Sequence, residues 1–145
     1  MSITTKANSR WEGNLREGSG TMRLPSGTYE GPYTFKSRFG SGASPEDGTN
    51  PEELIAAALS GCYAMYLANI LDKAGYTAEY VEAEAAVRMD TDGGPNISQS
   101  TLTVRVKAPG LDDATLQAKA QEAARDCPVS KALGPVEKTV EASLA

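Results

Sequence analysis

Two cysteines, Cys62 and Cys127, stand out as candidates for chemistry in this 145-residue chain, because it contains no histidine at all. The absence of histidine excludes Ser-His-Asp and Cys-His catalysis, a His-ligated haem and the common His-containing zinc sites. Two thiolates are too few for a structural zinc site of their own. Any catalysis must therefore come from Cys, carboxylates, Lys, Arg or Tyr. Three readings of the cysteines stand open at this level. They are small core hydrophobes, a structural disulfide, or a redox pair. The N-terminus, MSITTKANSRW, has no apolar h-region, so the expected compartment is the cytoplasm, where a structural disulfide is disfavoured. Gly61, immediately before Cys62, leaves space beside that sulfur, and Cys127-Pro128 falls at an expected helix end.

In the redox reading the chemistry follows from the thiolate, the only form that attacks an O–O bond usefully. An unperturbed thiol ionises near pH ~8.5, so the anion needs stabilising. Cys62 lies about three turns inside its expected helix, too far for the helix N-terminus to help. A cation is required, and arginine suits the task because it stays charged and offers a planar fork of donors. Arg38 and the Glu52-Glu53 pair fall at loop and helix-start positions open to the same cleft. Attack leaves a sulfenic acid on Cys62 and releases an alcohol. Cys127 then condenses with it to a disulfide, which protects Cys62 from over-oxidation.

The elements that must hold these residues read as α+β. In the first third, alternation around Trp11 predicts a strand over 7–15, a short strand carries Met22 and Leu24, and a further strand is expected near Tyr33 to Phe39. Gly18 to Gly20 and Pro25 to Gly27 read as turns, and Gly40 to Thr49 as an exposed polar loop. A helix begins at Asn50 (N-cap), with Pro51 at N1 and Glu53 at N3 completing a capping box, and ends before Gly75. Its core, Leu54 to Leu71, approaches the length of a membrane span, but its alanines, Ser60 and Asn69 favour a helix buried on most sides, so no membrane is expected. Val81, Ala83, Ala85 and Val87 alternate in one strand, and Leu102, Val104 and Val106 in the next, joined by a turn over Asp90 to Asn96. Asp112 N-caps a second helix whose stripe is Leu116, Ala120, Ala123 or Ala124, and Cys127. A short helical turn over Val129 to Leu133 and a last strand from Val136 to Leu144 complete a single domain, 1–145, with mostly antiparallel pairing.

Other features carry less. A net charge of −5 argues against nucleic acid as a partner. Asp90-Thr91-Asp92-Gly93 lacks the later ligands of a calcium loop and reads as a turn. Asn96-Ile97-Ser98 is a glycosylation triplet without a secretory context. Glu53 is explained by capping, and Glu52 alone by the helix dipole. Tyr63, Met65, Tyr66 and Leu67 are either helix core or the apolar wall of a pocket.

The segments Trp11-Glu12-Gly13, Ser37-Arg38-Phe39, GTNPEELIAAALSGC (48–62) and CPVSKAL (127–133) together resemble the OsmC branch of the OsmC/Ohr hydroperoxide reductases, in order along nearly the whole chain. Where that family often carries a histidine before its cysteine, this chain reads Ala58-Leu59-Ser60. The resemblance implies antiparallel sheets with two central helices in an intertwined homodimer, with active sites at the subunit interface. It implies a peroxidatic Cys62, a resolving Cys127, and Glu52 orienting Arg38 toward the thiolate. It also implies an organic hydroperoxide as substrate, a dithiol reductant (lipoylated proteins among them) and no metal or organic cofactor. Glu52 and Cys62 would lie about 15 Å apart along one helix. One arginine would reach both only if two helices packed antiparallel, with Arg38 and Glu52 of one subunit serving the partner's Cys62. The competing expectations are a binding protein for a small apolar ligand and a redox sensor that forms the same disulfide without turnover.

Overall fold

The computed structural model describes residues 1–40 and 44–145, which form two compact units, Met1–Leu54 and Ile55–Ala145. In the first unit, β1 (Asn8–Glu12), β2 (Ser19–Leu24) and β3 (Tyr29–Thr34) make an antiparallel sheet in the order β1-β2-β3. Gly20 lies inside β2, where a turn was expected. It is flanked in register by Trp11 and Tyr33, whose rings lie 5.2 Å apart. Any Cβ at Gly20 would collide with the Tyr33 ring. Glycine there is a packing requirement, not a turn signal.

The expected strand over Tyr33 to Phe39 divides into the end of β3 and a short helix, α1 (Phe35–Phe39). Thr34 caps that helix by accepting from the Ser37 amide at 3.0 Å, while Ser37 Oγ accepts from the Thr34 amide at 2.9 Å. This capping box overrides the strand propensity of Phe35 and Phe39. Ser37 also donates to the Thr49 carbonyl at 2.7 Å. Part of the loop from Gly40 to Thr49 lies outside the described residues. The rest is tied down: Asp47 accepts from the Ser44 amide, the Ser44 hydroxyl and Lys36 at 2.8–2.9 Å.

The long helix α2 runs Pro51–Lys73. Asn50 Oδ1 accepts from the Glu53 amide at 2.8 Å, as an N-cap should. The capping box is not closed, because the Glu53 carboxylate takes the Thr49 hydroxyl instead. At the other end Gly75 adopts φ +92°, and Tyr76 and Gly75 donate to the Leu71 and Asp72 carbonyls at 2.9 Å, a Schellman termination.

In the second unit β4 (Tyr80–Asp90) and β5 (Asn96–Lys107) pair antiparallel, and β6 (Glu137–Leu144) pairs parallel to β5. That parallel edge departs from a uniformly antiparallel sheet. The intervening α3 (Asp113–Asp126) and α4 (Pro128–Ala132) supply the crossover that parallel pairing needs. Asp112 caps α3 by accepting from the Thr115 amide at 2.9 Å. Leu59, Tyr63, Leu67 and Leu71 form one stripe of α2 and are essentially buried. They pack with Leu102, Val104, Val106, Leu116 and Ala123. The Tyr63 hydroxyl donates to the Ala120 carbonyl at 3.0 Å, so its ring can be buried without an orphaned polar atom.

The expectation that α2 would be buried on most sides is corrected. It is long and apolar enough to cross a membrane, and only 28% of its most apolar window is buried. Ala57, Ala58, Gly61 and Met65 form an exposed face, with Met65 77% open.

Candidate active site

Arg38 and Glu52 meet within the first unit. The capped turn of α1 aims Arg38 at the first turn of α2, where Glu52 is buried. The guanidinium donates through Nη2 to Oε1 at 2.8 Å and through Nε to Oε2 at 3.3 Å. This edge-on fork fixes the plane of the guanidinium as well as its position. Asn50 links the two helices, donating from Nδ2 to the Ser37 carbonyl at 2.9 Å while its oxygen caps α2. The Arg38 guanidinium carbon also lies 5.2 Å from the centre of the Phe39 ring.

An open cavity of about 380 Å³ adjoins this pair, lined by Trp11, Leu15, Tyr33, Phe35, Arg38 and Phe39. Its aromatic wall was not anticipated, because these residues come from β1, the turn after it, β3 and α1, which are separated in sequence. Of the residues read as a possible apolar wall, Tyr63 and Leu67 are fully buried core, and only Met65 and Tyr66 remain open to any degree.

Both cysteines lie in the second unit as free thiols. Cys127 is buried within the hydrophobic core and Cys62 packs against it, half-buried. Burial pushes the Cys62 thiol up from its usual range, the Val129 amide pulls it back, and the neighbouring Cys127 sulfur pushes it up again. Within this unit the balance favours the neutral thiol. Cys127 ends α3 and starts α4, with Pro128 at the first helical position. Its Sγ donates to Ser130 Oγ at 3.1 Å and accepts from the Ser130 amide at 3.4 Å. Val129 and Ser130 thus present successive amides to the two sulfurs. Neither residue was singled out from the sequence, because neither carries a charge or a reactive group that marks it there. The candidates therefore fall into two pairs: Arg38 with Glu52, and Cys62 with Cys127.

Known proteins resemble this chain in sequence and in fold. A family profile described as "OsmC-like protein" matches residues 43–141. Peroxiredoxin OsmC of Escherichia coli is 39% identical over 135 residues, covering 92% of each chain. An organic hydroperoxide resistance protein of Xanthomonas axonopodis pv. citri is 35% identical over 94 residues, 63% of each chain. Among solved structures, the organic hydroperoxide resistance protein OhrB of Bacillus subtilis aligns with a TM-score of 0.71 at 25% identity, covering 95% of this chain and 98% of that one. An OsmC-like protein of Vibrio cholerae shares the fold at a TM-score of 0.75 and 18% identity, over 98% of this chain and all of that one.

Proposed function

Because the chain belongs to the OsmC-like protein family, we propose that it is a thiol-dependent peroxidase that reduces organic hydroperoxides to alcohols. The observation that carries this reading is that the only two cysteines share one core, Cys127 buried within it and Cys62 half-buried against it, near enough to feel the Cys127 sulfur. The names of the relatives, a peroxiredoxin and an organic hydroperoxide resistance protein, support it.

In this mechanism the Cys62 thiolate attacks one peroxide oxygen, the O–O bond breaks and the alcohol leaves. The sulfenic acid on Cys62 then condenses with Cys127, releasing water and forming a disulfide. A dithiol reductant, lipoylated proteins among the candidates, restores both thiols by exchange. No metal or organic cofactor takes part. Cys62 is raised by burial, so it requires a cation to be a thiolate at neutral pH. Arg38, held in plane by Glu52, supplies that cation.

The whole chain acts as one functional domain in the cytoplasm, and as a homodimer. Support for the dimer comes from the exposed apolar face of α2 and from Gly61 on that face. Among the described residues a Cβ at Gly61 would meet no neighbouring atom, so none of them explains a helix-interior glycine. Packing these faces antiparallel would let Arg38 and Glu52 of one subunit serve the partner subunit's Cys62.

The test is to add one equivalent of cumene hydroperoxide to reduced protein and count free thiols over time. Rapid loss of two thiols, none in Cys62→Ser, and a trapped sulfenic acid in Cys127→Ser are expected, with a slower reaction on hydrogen peroxide. If both thiols survive excess peroxide, the aromatic cavity makes a binding protein for a small apolar ligand the better reading.

A further inference from the structure

The resolving thiol in this scheme is buried, and a buried thiol that must react needs two things. Its lone pair has to face the electrophile, and its proton needs a way out. Cys127 has no exposed surface, and Ser130 is only 1% exposed. The Cys127 S–H is directed at Ser130 Oγ at 3.1 Å, while the Ser130 amide approaches the same sulfur at 3.4 Å. Pro128 has no amide hydrogen, so the first two N–H groups of the turn belong to Val129 and Ser130. The Val129 amide acts on Cys62 and the Ser130 amide holds Cys127.

Ser130 also borders an open cavity of about 400 Å³, walled by Gln121, Arg125, Lys131 and Lys138. Ser130 therefore stands between a buried thiol, which its hydroxyl touches, and a space that polar side chains keep hydrated. Packing alone does not require a hydroxyl at this position, since an alanine would fill nearly the same volume.

We propose that Ser130 is a positioning residue for disulfide formation: it turns the Cys127 proton away from Cys62 and passes it toward the cavity beside Lys131 and Lys138. This inference rests on Cys127 being the resolving cysteine. In the step, the S–H bond of Cys127 and the S–O bond of the Cys62 sulfenic acid break and the S–S bond forms. The thiol proton moves to Ser130 Oγ as the Ser130 proton moves to cavity water. The departing hydroxide and one proton leave as water, so no further oxidant or reductant is needed.

The experiment compares the parent, Ser130→Ala and Ser130→Thr proteins after one equivalent of cumene hydroperoxide, stopped at intervals with dimedone. Loss of the first thiol gives the rate of attack, and the decay of trappable sulfenic acid gives the rate of disulfide formation. The ratio of the second rate to the first should fall about five- to tenfold in Ser130→Ala, the worth of one hydrogen bond. Threonine, which keeps the hydroxyl, should restore it. An unchanged ratio in Ser130→Ala overturns the proposal. An equal fall in both variants also overturns it, because packing would then be the cause. A parent protein that accumulates sulfenic acid without ever forming a disulfide would overturn the resolving role of Cys127 and this proposal with it.

Discussion

Arg38 meets Glu52 along a single edge of its guanidinium, Nη2 to Oε1 at 2.8 Å and Nε to Oε2 at 3.3 Å, so Nη1 takes no part in the pair. The carboxylate side is nearly buried and the arginine side about one-third exposed. The pair therefore uses one edge of the cation and leaves the other outside this ion pair.

Glu52→Gln should slow peroxide attack at least tenfold, because the amide cannot accept both guanidinium bonds and the cation loses its fixed plane. Arg38→Lys should be nearly as slow as Arg38→Ala, since a point charge on a flexible stem cannot reproduce the fork. The melting temperature should fall only a few degrees, because Arg38 can return to solvent. Stopped-flow rates and thermal melts measure the two effects, and a Lys variant with near-parent rates would count against the role of the fork.

Gly61→Ala separates a monomer from a dimer. In an isolated chain the change should raise stability by roughly 1 kcal/mol, because alanine is the better helix former and its methyl meets nothing. In a dimer packed on this face the same methyl should weaken association at least tenfold. Sedimentation equilibrium across a dilution series decides it, and a monomeric parent with a more stable variant would remove the dimer.

Asp47 gives a pH dependence that can be assigned to one group. The hydrogen bond from Lys36, then the Ser44 amide and hydroxyl, lower its carboxyl from an ordinary 3.8 to about 2. A carboxyl depressed by folding stabilises the native state fully above the ordinary value, and that contribution fades as pH falls toward 2. Asp47→Asn should therefore melt below the parent at pH 6, and the gap should close as pH approaches 2. A gap that does not change with pH would mean the ionised form contributes nothing.

Much of this was legible where the deciding bonds are local. The cap at Asn50, the Gly75 termination, the Asp112 cap and the Leu116–Ala120–Cys127 stripe all act within a turn or two of chain, and each appears as read. What escaped the sequence depends on distant partners. Phe35 and Phe39 favour a strand, and the Thr34–Ser37 capping box that overrides them is itself anchored by the Ser37 bond to Thr49 and the Asn50 bond to Ser37. Alternation located β6 but carries no direction, which is set by the path through α3 and α4. The Arg38 and Cys62 positions stood out as ionisable groups. Ser130 carries no charge, and its part is visible only once Cys127 is seen to be buried.

Asn50 uses the two ends of one amide for separate tasks, oxygen to start α2 and nitrogen to hold the carbonyl of Ser37. Those tasks have different chemical requirements, so they can be inherited or altered independently. An aspartate there would still start the helix but would repel the carbonyl it now holds, loosening the arginine while leaving the glutamate in place. The aim of the cation is thus an adjustable setting, one substitution removed from the parts that make the protein fold.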